Sequence, residues 1–373
     1  MKFGIVGVGN QGTKYAKMLV SGEIIGATLS AVCDTNPEKL ASLSDRIGGG
    51  EAKLYSTADE LIGSGTCDAV IVTTPHYFHT EIVKKCFEHG LAVLCDKPLG
   101  VYKKEVSELC SLADECGVLF GIMFNQRTNC IYRKMREIIS EGALGAPQRV
   151  NWIITDWYRT DAYYKSGEWR ASWAGEGGGV LINQAPHQID LLTWIVGSMP
   201  KCVRSVCGYG HWHDIEVEDE ASAFFMYENG ATGILVTSTA EAPGTNRLEI
   251  VGSLGKLVAE DGRLLWYKNK ADALENSHTS TSGYRKPEVE VIEVVLDGKD
   301  PEHAGILQNF TNAYLGLEEL FVDGREGIKS VEFMNAMELS GWRGGEAVHL
   351  PIDEDVYLDE LDKRRSISRY TNK

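Results

Sequence analysis

Residues 3–6 of this 373-residue chain form a short apolar run, and Gly7, Gly9 and Gly12 follow at once, ahead of a helical pattern over 11–20. Few short patterns constrain a fold as strongly. A buried strand that turns through three glycines into a helix has a tight turn at the first, open backbone at the second and close helix–strand packing at the third. The helix start then presents N–H groups and a partial positive charge. That is the construction of a dinucleotide site, and its candidate residues are Gly7, Gly9, Asn10, Gln11 and Gly12. Asp34 ends the next apolar run, 22 residues after Gly12, where a carboxylate meets the adenosine ribose hydroxyls. The same charge repels a 2′-phosphate, and no arginine stands among Thr35, Asn36 and Pro37, so NAD is expected ahead of NADP; Lys39 is the nearby cation that opposes this. The alternative for Asp34 is a turn or cap before the Pro37 helix.

Further strands are predicted at 29–33, 69–73, 92–95 and 118–124, with helices over 37–47, 57–62, 79–89 and 103–116 between them. Continuous apolar strands alternating with helices imply a parallel sheet covered on both faces. After a helix at 129–141 the rhythm changes. Strands at 150–157, 203–210, 221–227, 232–239, 247–251, 257–260, 264–267 and 289–296 alternate apolar and polar residues and are joined by tight turns such as Glu228-Asn229-Gly230. This predicts a mostly antiparallel open sheet with one solvated or interface face. Helices over 184–196, 303–320 and 331–339 interrupt it. The expected organisation is an α/β Rossmann domain over 1–124, an α+β substrate and oligomerisation domain over 125–350, and a charged tail over 351–373, draped over the body or loose at its end.

Composition narrows the partners. Apolar residues are 43% of the chain, enough for two cores. The net charge of −16 disfavours nucleic acid and anionic lipid. Nine cysteines with no CxxC pair read as small core residues in a reducing compartment. With no signal-peptide pattern and no apolar run near the ~20 residues that span a bilayer, the cytoplasm is the expected location.

Two more strand ends carry polar motifs. Thr73, Thr74 and Pro75 lead to His76 and His79, and Asp96-Lys97-Pro98 follows the strand at 92–95. Carboxyl ends of parallel strands are where such sheets bind ligands. His76 and His79 have metal-like spacing, but no Cys or carboxylate ligand lies near them in sequence, and no metal is expected. A desolvated Lys97 exchanges a proton near neutrality, which suits oxidation of an alcohol. Further on, Gly177-Gly178-Gly179 leads to Asn183, Pro186, His187 and Asp190; Pro186 fits a first helical turn, and His187 and Asp190 share a face.

Taken in order, the glycine turn, TTPxxxH, DKP and GGG…H…D resemble the Gfo/Idh/MocA oxidoreductase family over nearly the whole chain. The resemblance implies a dehydrogenase in which Lys97 and His187 are catalytic. Thr73, Thr74, Pro75, His79, Asp96, Lys97 and the Trp169-Arg170 pair would lie with the cofactor, and Lys97, Arg127, Tyr158, Asn183 and His187 with the substrate. Many members carry Asp where this chain has Asn183, which leaves open whether Lys97 or His187 is the main proton acceptor; Asn183 orients hydroxyls in one reading and caps a helix in the other. Asp190 anchors its helix in the plainer reading. The aromatic crowd over 152–173 offers flat faces for a ring. The stretch from Trp157 to His187 looks like the branch that includes levoglucosan dehydrogenase and makes 3-keto-glycosides, which implies a neutral sugar, glycoside or cyclic polyol oxidised at C3. Arg127, Arg159 and Arg170 argue instead for a charged substrate. The resemblance also implies a homodimer or homotetramer. Competing readings are glycosidic-bond cleavage through transient oxidation, a dinucleotide-binding regulator without activity, and an imine reductase.

Overall fold

A computed structural model describes residues 1–49 and 51–370. The chain forms two compact units. The first comprises Met1–Thr128, Gly175–Gly177 and Pro301–Val331. Its sheet holds β1 (Lys2–Val6), β2 (Thr28–Cys33), β3 (Lys53–Tyr55), β4 (Ala69–Val72), β5 (Ala92–Cys95) and β6 (Phe120–Ile122), all parallel, in the order β3-β2-β1-β4-β5-β6. This is the doubly wound dinucleotide-binding order, with β1 and β4 flanking the point where the winding reverses. Every residue of β4 and β5 is buried, as a sheet covered on both faces requires. Helix Asn10–Val20 covers it with Tyr15, Ala16 and Leu19, and helix Lys103–Cys116 buries Val106, Leu109 and Ala113.

Three differences from the sequence reading have physical causes. Edge strand β3 is three residues with no apolar alternation, so nothing in its pattern announces it. The helix expected over 37–47 is two, Pro37–Ala41 and Leu43–Ile47, because the Ser42 hydroxyl turns back onto the carbonyls of Glu38 and Lys39. Residues 301–331, expected in the second domain, pack with the first unit. Helix Glu302–Tyr314 buries Ile306, Leu307 and Phe310, whose ring centroid lies 6.1 Å from that of Phe3 in β1. Gly121 of β6 makes room for it, since a Cβ there would stand 2.9 Å from the Phe310 ring.

The second unit comprises Asn129–Ala174, Gly178–Asp300 and the described residues from Glu332 on. Its sheet contains β7 (Pro147–Ile154), β8 (Cys202–Tyr209), β9 (Glu218–Met226), β10 (Thr232–Ser238), β11 (Asn246–Gly252), β12 (Gly255–Glu260), β13 (Arg263–Asn269), β14 (Val289–Glu293) and β15 (Val348–His349). The order is β14-β13-β12-β11-β7-β10-β9-β8-β15, antiparallel except where β7 pairs with β10. One face is core: Val150, Trp152, Ala223, Phe225, Leu235 and Leu248 are buried, and Phe333 packs edge-on against Phe225. The other face carries Ile153, Val206, Phe224 and Ile234, each 40–70% exposed, with Phe224 directly beside Ile234 in the register.

The charged tail is ordered where it is described. Helix Glu354–Ser366 buries Tyr357 and Leu361, Asp353 caps it, and Tyr357 stacks on Trp342 at 5.2 Å. Residues 371–373 of the expected tail lie outside the described residues.

Candidate active site

The glycine turn has the geometry its sequence demands. Gly7 has φ +96°, and a Cβ there would stand 2.8 Å from the Thr73 carbonyl oxygen; one on Gly12 would stand 1.9 Å from that of Gly7. Around Gly9 a Cβ would meet nothing within 4 Å, so no neighbour among the described residues explains that glycine. The helix it opens has no side-chain cap and no acid in its first turn, which leaves its N-terminal charge unanswered by its own side chains. Asn10 is exposed at the first helical position. Asp34, 9% exposed, accepts from the Val8 N–H at 2.8 Å and the Asn36 N–H at 2.9 Å, so the turn reading and the ligand reading of this carboxylate are compatible: each oxygen keeps a second lone pair. The Thr73 hydroxyl donates to the Gly7 carbonyl at 2.6 Å and braces the turn. The Thr74 hydroxyl is buried with no partner among the described residues. An uncapped helix end, an unexplained glycine and an orphaned hydroxyl together fit a bound dinucleotide.

Sequence reasoning missed Arg46, whose guanidinium donates to the Thr13 hydroxyl at 2.6 Å and reaches the Val8 carbonyl at 3.4 Å. It stands at the same turn as Asp34, as does Lys39, 3.9 Å from the Asp34 carboxylate. Arg46 lies twelve residues beyond Asp34, past the strand end whose local pattern marks the ribose site.

At the ends of β4 and β5 the motif residues lock together. His79, buried, has Nδ1 2.7 Å from the Pro98 carbonyl and Nε2 2.7 Å from the Thr74 carbonyl, pinning one strand-end turn to the other. Two carbonyls favour the ring's protonation, but burial is the larger effect and pulls its pKa below the usual histidine value. With both nitrogens on backbone, His79 holds the turn that carries Thr74 and Pro75. His76 lies against the Glu176 carbonyl at 3.1 Å. Asp96 accepts from the Lys97 N–H at 3.0 Å and from the Tyr15 hydroxyl at 3.4 Å, tying the β5 end to the glycine-loop helix. Lys97 is half-buried between buried Asp96 and Pro98. Arg127 is 2% exposed, pairs with Glu326 at 2.9 Å and lies over the Phe124 ring, partners that its sequence neighbourhood does not announce.

In the second unit, Glu218 organises the glycine segment. Its Oε1 accepts from the N–H groups of Gly179 (2.9 Å) and Leu181 (3.0 Å), and a Cβ on Gly179 would lie 1.9 Å from the Glu218 carbonyl oxygen. Glu338 is buried beside it, accepts from the Tyr357 hydroxyl, and has its Oε1 2.6 Å from where a Gly178 Cβ would be. Burial and the Glu218 charge raise the Glu338 pKa well above the carboxylate range. Helices Val180–Asn183 and Pro186–Val196 follow, with Pro186 in the first turn of the second and His187 half-buried beside it. Asn183 ends the first helix and Ala185 caps the second, so the capping reading of Asn183 fails; its amide donates to the Tyr163 hydroxyl at 3.2 Å. Asp190 is 1% exposed.

Tyr163, one of the aromatic crowd in the sequence, is the hub of this region. Its oxygen also faces Gln184 at 3.2 Å and Arg170 at 2.9 Å, and its ring lies under Arg159 and Arg170. Trp169 stacks under Arg170 as well. A cavity of about 540 Å³ is lined here by Tyr164, Lys165, Glu168, Arg170, Glu216 and Arg369. A second, of about 550 Å³, is lined by Tyr158, Arg159, Trp212 and His213. Tyr158 and Trp212 are more than half exposed. His213 is held by Asp219 (3.1 Å) and the Arg159 carbonyl (3.1 Å). No cluster of three potential metal ligands and no membrane-length apolar helix occurs among the described residues.

Comparison with known proteins agrees with both units. Residues 1–124 match the family model described as an oxidoreductase family with an NAD-binding Rossmann fold, and residues 132–258 match the Gfo/Idh/MocA C-terminal domain. Myo-inositol 2-dehydrogenase of Thermotoga maritima is 27% identical over 270 residues, 70% of this chain and 76% of that protein. The WlbA dehydrogenase of Bordetella pertussis, solved with NADH and UDP-GlcNAcA, is 25% identical with a TM-score of 0.79, covering 95% of this chain and 98% of that one. Levoglucosan dehydrogenase, solved with NADH and levoglucosan, is 19% identical with a TM-score of 0.78, covering 94% and 99%, a likeness of fold. Matched in both its domains by one family, and sharing that family's architecture nearly end to end, this chain is a Gfo/Idh/MocA oxidoreductase.

Proposed function

We propose that the protein moves hydride between a secondary ring hydroxyl of a sugar, glycoside or cyclic polyol and NAD. The observation that carries this is Lys97, half-buried at the carboxyl end of β5, in the sheet edge that also holds the glycine turn. Nicotinamide supplies the hydride acceptor. Lys97 takes the hydroxyl proton as the carbinol carbon is oxidised. Asn183 and His187 bind and orient the hydroxyls, with Tyr163 fixing the Asn183 amide. Gly7 to Gly12 hold the pyrophosphate and Asp34 the ribose, with Trp169 and Arg170 as further cofactor contacts. Incubating the protein with glucose, a methyl glucoside, inositol and a uronic-acid sugar nucleotide, with NAD and NADP in turn, tests the reading through the absorbance of reduced cofactor. Product NMR locates the carbonyl. The reading expects C3, and a C1 carbonyl overturns that part.

A sugar nucleotide is the second reading. Lys165, Arg170 and Arg369 line one cavity, and the WlbA dehydrogenase was solved with such a ligand. Asp161, Glu168 and Glu216 line the same cavity and oppose an anion, which keeps the neutral ring ahead. Turnover of the charged sugar alone would reverse that order. For the cofactor, Asp34 favours NAD while Arg46 and Lys39 offer a phosphate partners; competitive titration decides. The exposed apolar face of Ile153, Val206, Phe224 and Ile234 supports a homodimer or homotetramer. Nine unpaired cysteines, six of them buried, suit the cytoplasm.

A further inference from the structure

Helix Glu302–Tyr314 begins at a strained residue. Glu302 has φ +47°, a region that side-chain-bearing residues occupy at a cost and that surrounding structure must enforce. The next side chain, His303, reaches the glycine-loop helix from 289 residues away. Its Nδ1 lies 3.0 Å from Lys14 Nζ, its Nε2 lies 3.2 Å from the Gln11 amide nitrogen, and its ring centroid is 5.9 Å from that of Tyr15. Lys14 only donates, so Nδ1 accepts. Nε2 therefore carries the proton, and its hydrogen bond to Gln11 requires that amide to present its oxygen in place of the nitrogen that stands 3.2 Å away.

The titratable groups around this ring are Lys14 and Tyr15 on the glycine-loop helix, Asp96 and Lys97 at the end of β5, and Glu302 beside it, 3.7 Å from Nδ1. Arg127, on the turn packed against the same helix, is held by Glu326. Burial, helped by Lys14 and Lys97 and opposed by Asp96, takes the His303 pKa down to about 4. The ring is neutral at physiological pH and accepts from an ammonium.

We propose that His303 is a positioning residue of the dinucleotide site, fixing Gln11 and the Lys14 ammonium along the first turns of the glycine-loop helix for the cofactor phosphates. The inference rests on the dinucleotide reading above, and His303 lies outside both segments matched by the family models. Helical side chains lean toward the N-terminus, so Lys14 held in this way adds a fixed positive charge close to the end where Gln11 stands. Released, the lysine loses that order and the site loses the charge.

The test is NADH binding, followed by the change in nicotinamide fluorescence, with thermal unfolding of the same samples. His303→Leu is expected to weaken NADH roughly five- to fiftyfold, as losing an ordered charge-assisted contact does. His303→Gln, which can accept from Lys14 and donate to Gln11, is expected to stay within about threefold of wild type. Lys14→Met should weaken binding like His303→Leu, and the double variant should add little to either, because both remove one unit. Lys14 is half-exposed, so its variant tests the proposal even where His303→Leu folds poorly. Unchanged affinity in His303→Leu or Lys14→Met, full additivity in the double variant, or a His303→Gln as weak as His303→Leu would each overturn the proposal. A wild-type protein that binds neither NADH nor NADPH overturns the dinucleotide reading itself, and the inference with it.

Discussion

Asp34→Asn separates two roles that one carboxylate combines. In the folded protein Asp34 takes the N–H groups of Val8 and Asn36, one on each oxygen. The amide replaces one of those oxygens with a donor, so one backbone N–H faces another donor, and the charge is lost from both contacts. A hydrogen bond to a charged group contributes about 1.5–3 kcal/mol, so about 2 kcal/mol of stability should go before any cofactor is added. At about 2–4 °C per kcal/mol for a domain of this size, the apo unfolding midpoint should fall by roughly 4–8 °C. The second role appears only with ligand. NADH at a hundred times its wild-type Kd stabilises by about 2.7 kcal/mol, and a tenfold weaker site at the same concentration gains only about 1.4 kcal/mol, so the ligand-induced shift should be about halved. Thermal unfolding with and without NADH reads both effects. An apo midpoint within about 1 °C of wild type would refute the backbone clamp. An undiminished NADH shift would refute the ribose contact.

Other perturbations address the remaining sites. Lys97→Ala should bind NADH normally and turn over roughly 10²–10⁴ times more slowly, the usual contribution of a general acid–base group, as single-turnover kinetics would show. Glu338, with its folded pKa raised, keeps its proton where the unfolded chain has lost it, so wild-type stability falls as pH rises above the ordinary glutamate value; Glu338→Gln should flatten that slope and be the more stable form at pH 8 relative to pH 5 in urea unfolding. Tyr163→Phe removes the acceptor facing Arg170, Asn183 and Gln184 and should raise the substrate KM about tenfold, as steady-state kinetics would reveal. Light scattering is expected to find an oligomer for wild type and a monomer for Phe224→Lys with Ile234→Lys.

What was legible in the sequence was what neighbouring residues decide. The β1–glycine–helix unit is specified within twenty residues, because only glycine accepts φ +96° and the close approach at Gly12. Long apolar strands and their helices were readable for the same reason. Partners far along the chain were not. Nothing near Arg127 in the sequence announces its ion pair with Glu326, 199 residues away. The helix from Glu302 shows its apolar stripe, but nothing local says which sheet it covers. Tyr357 and Leu361, four apart, were hidden in a charged tail. Tyr163 and His303 carry no motif, and their places follow only from what the fold brings to them.

The return of residues 301–331 to the first unit has a consequence for how the protein is made. When the first 128 residues have left the ribosome, the sheet still lacks the helix that seats Phe310 against Phe3. At about 5–20 residues per second, the intervening stretch of about 180 residues takes on the order of ten to thirty seconds to synthesise. During that interval an apolar strip of the nucleotide-binding sheet is uncovered, and strands β7 to β14 of the second sheet emerge before it is closed. The nascent chain is then a natural client for a chaperone that holds exposed apolar surface, and a release too early in synthesis leaves the first unit without its cover.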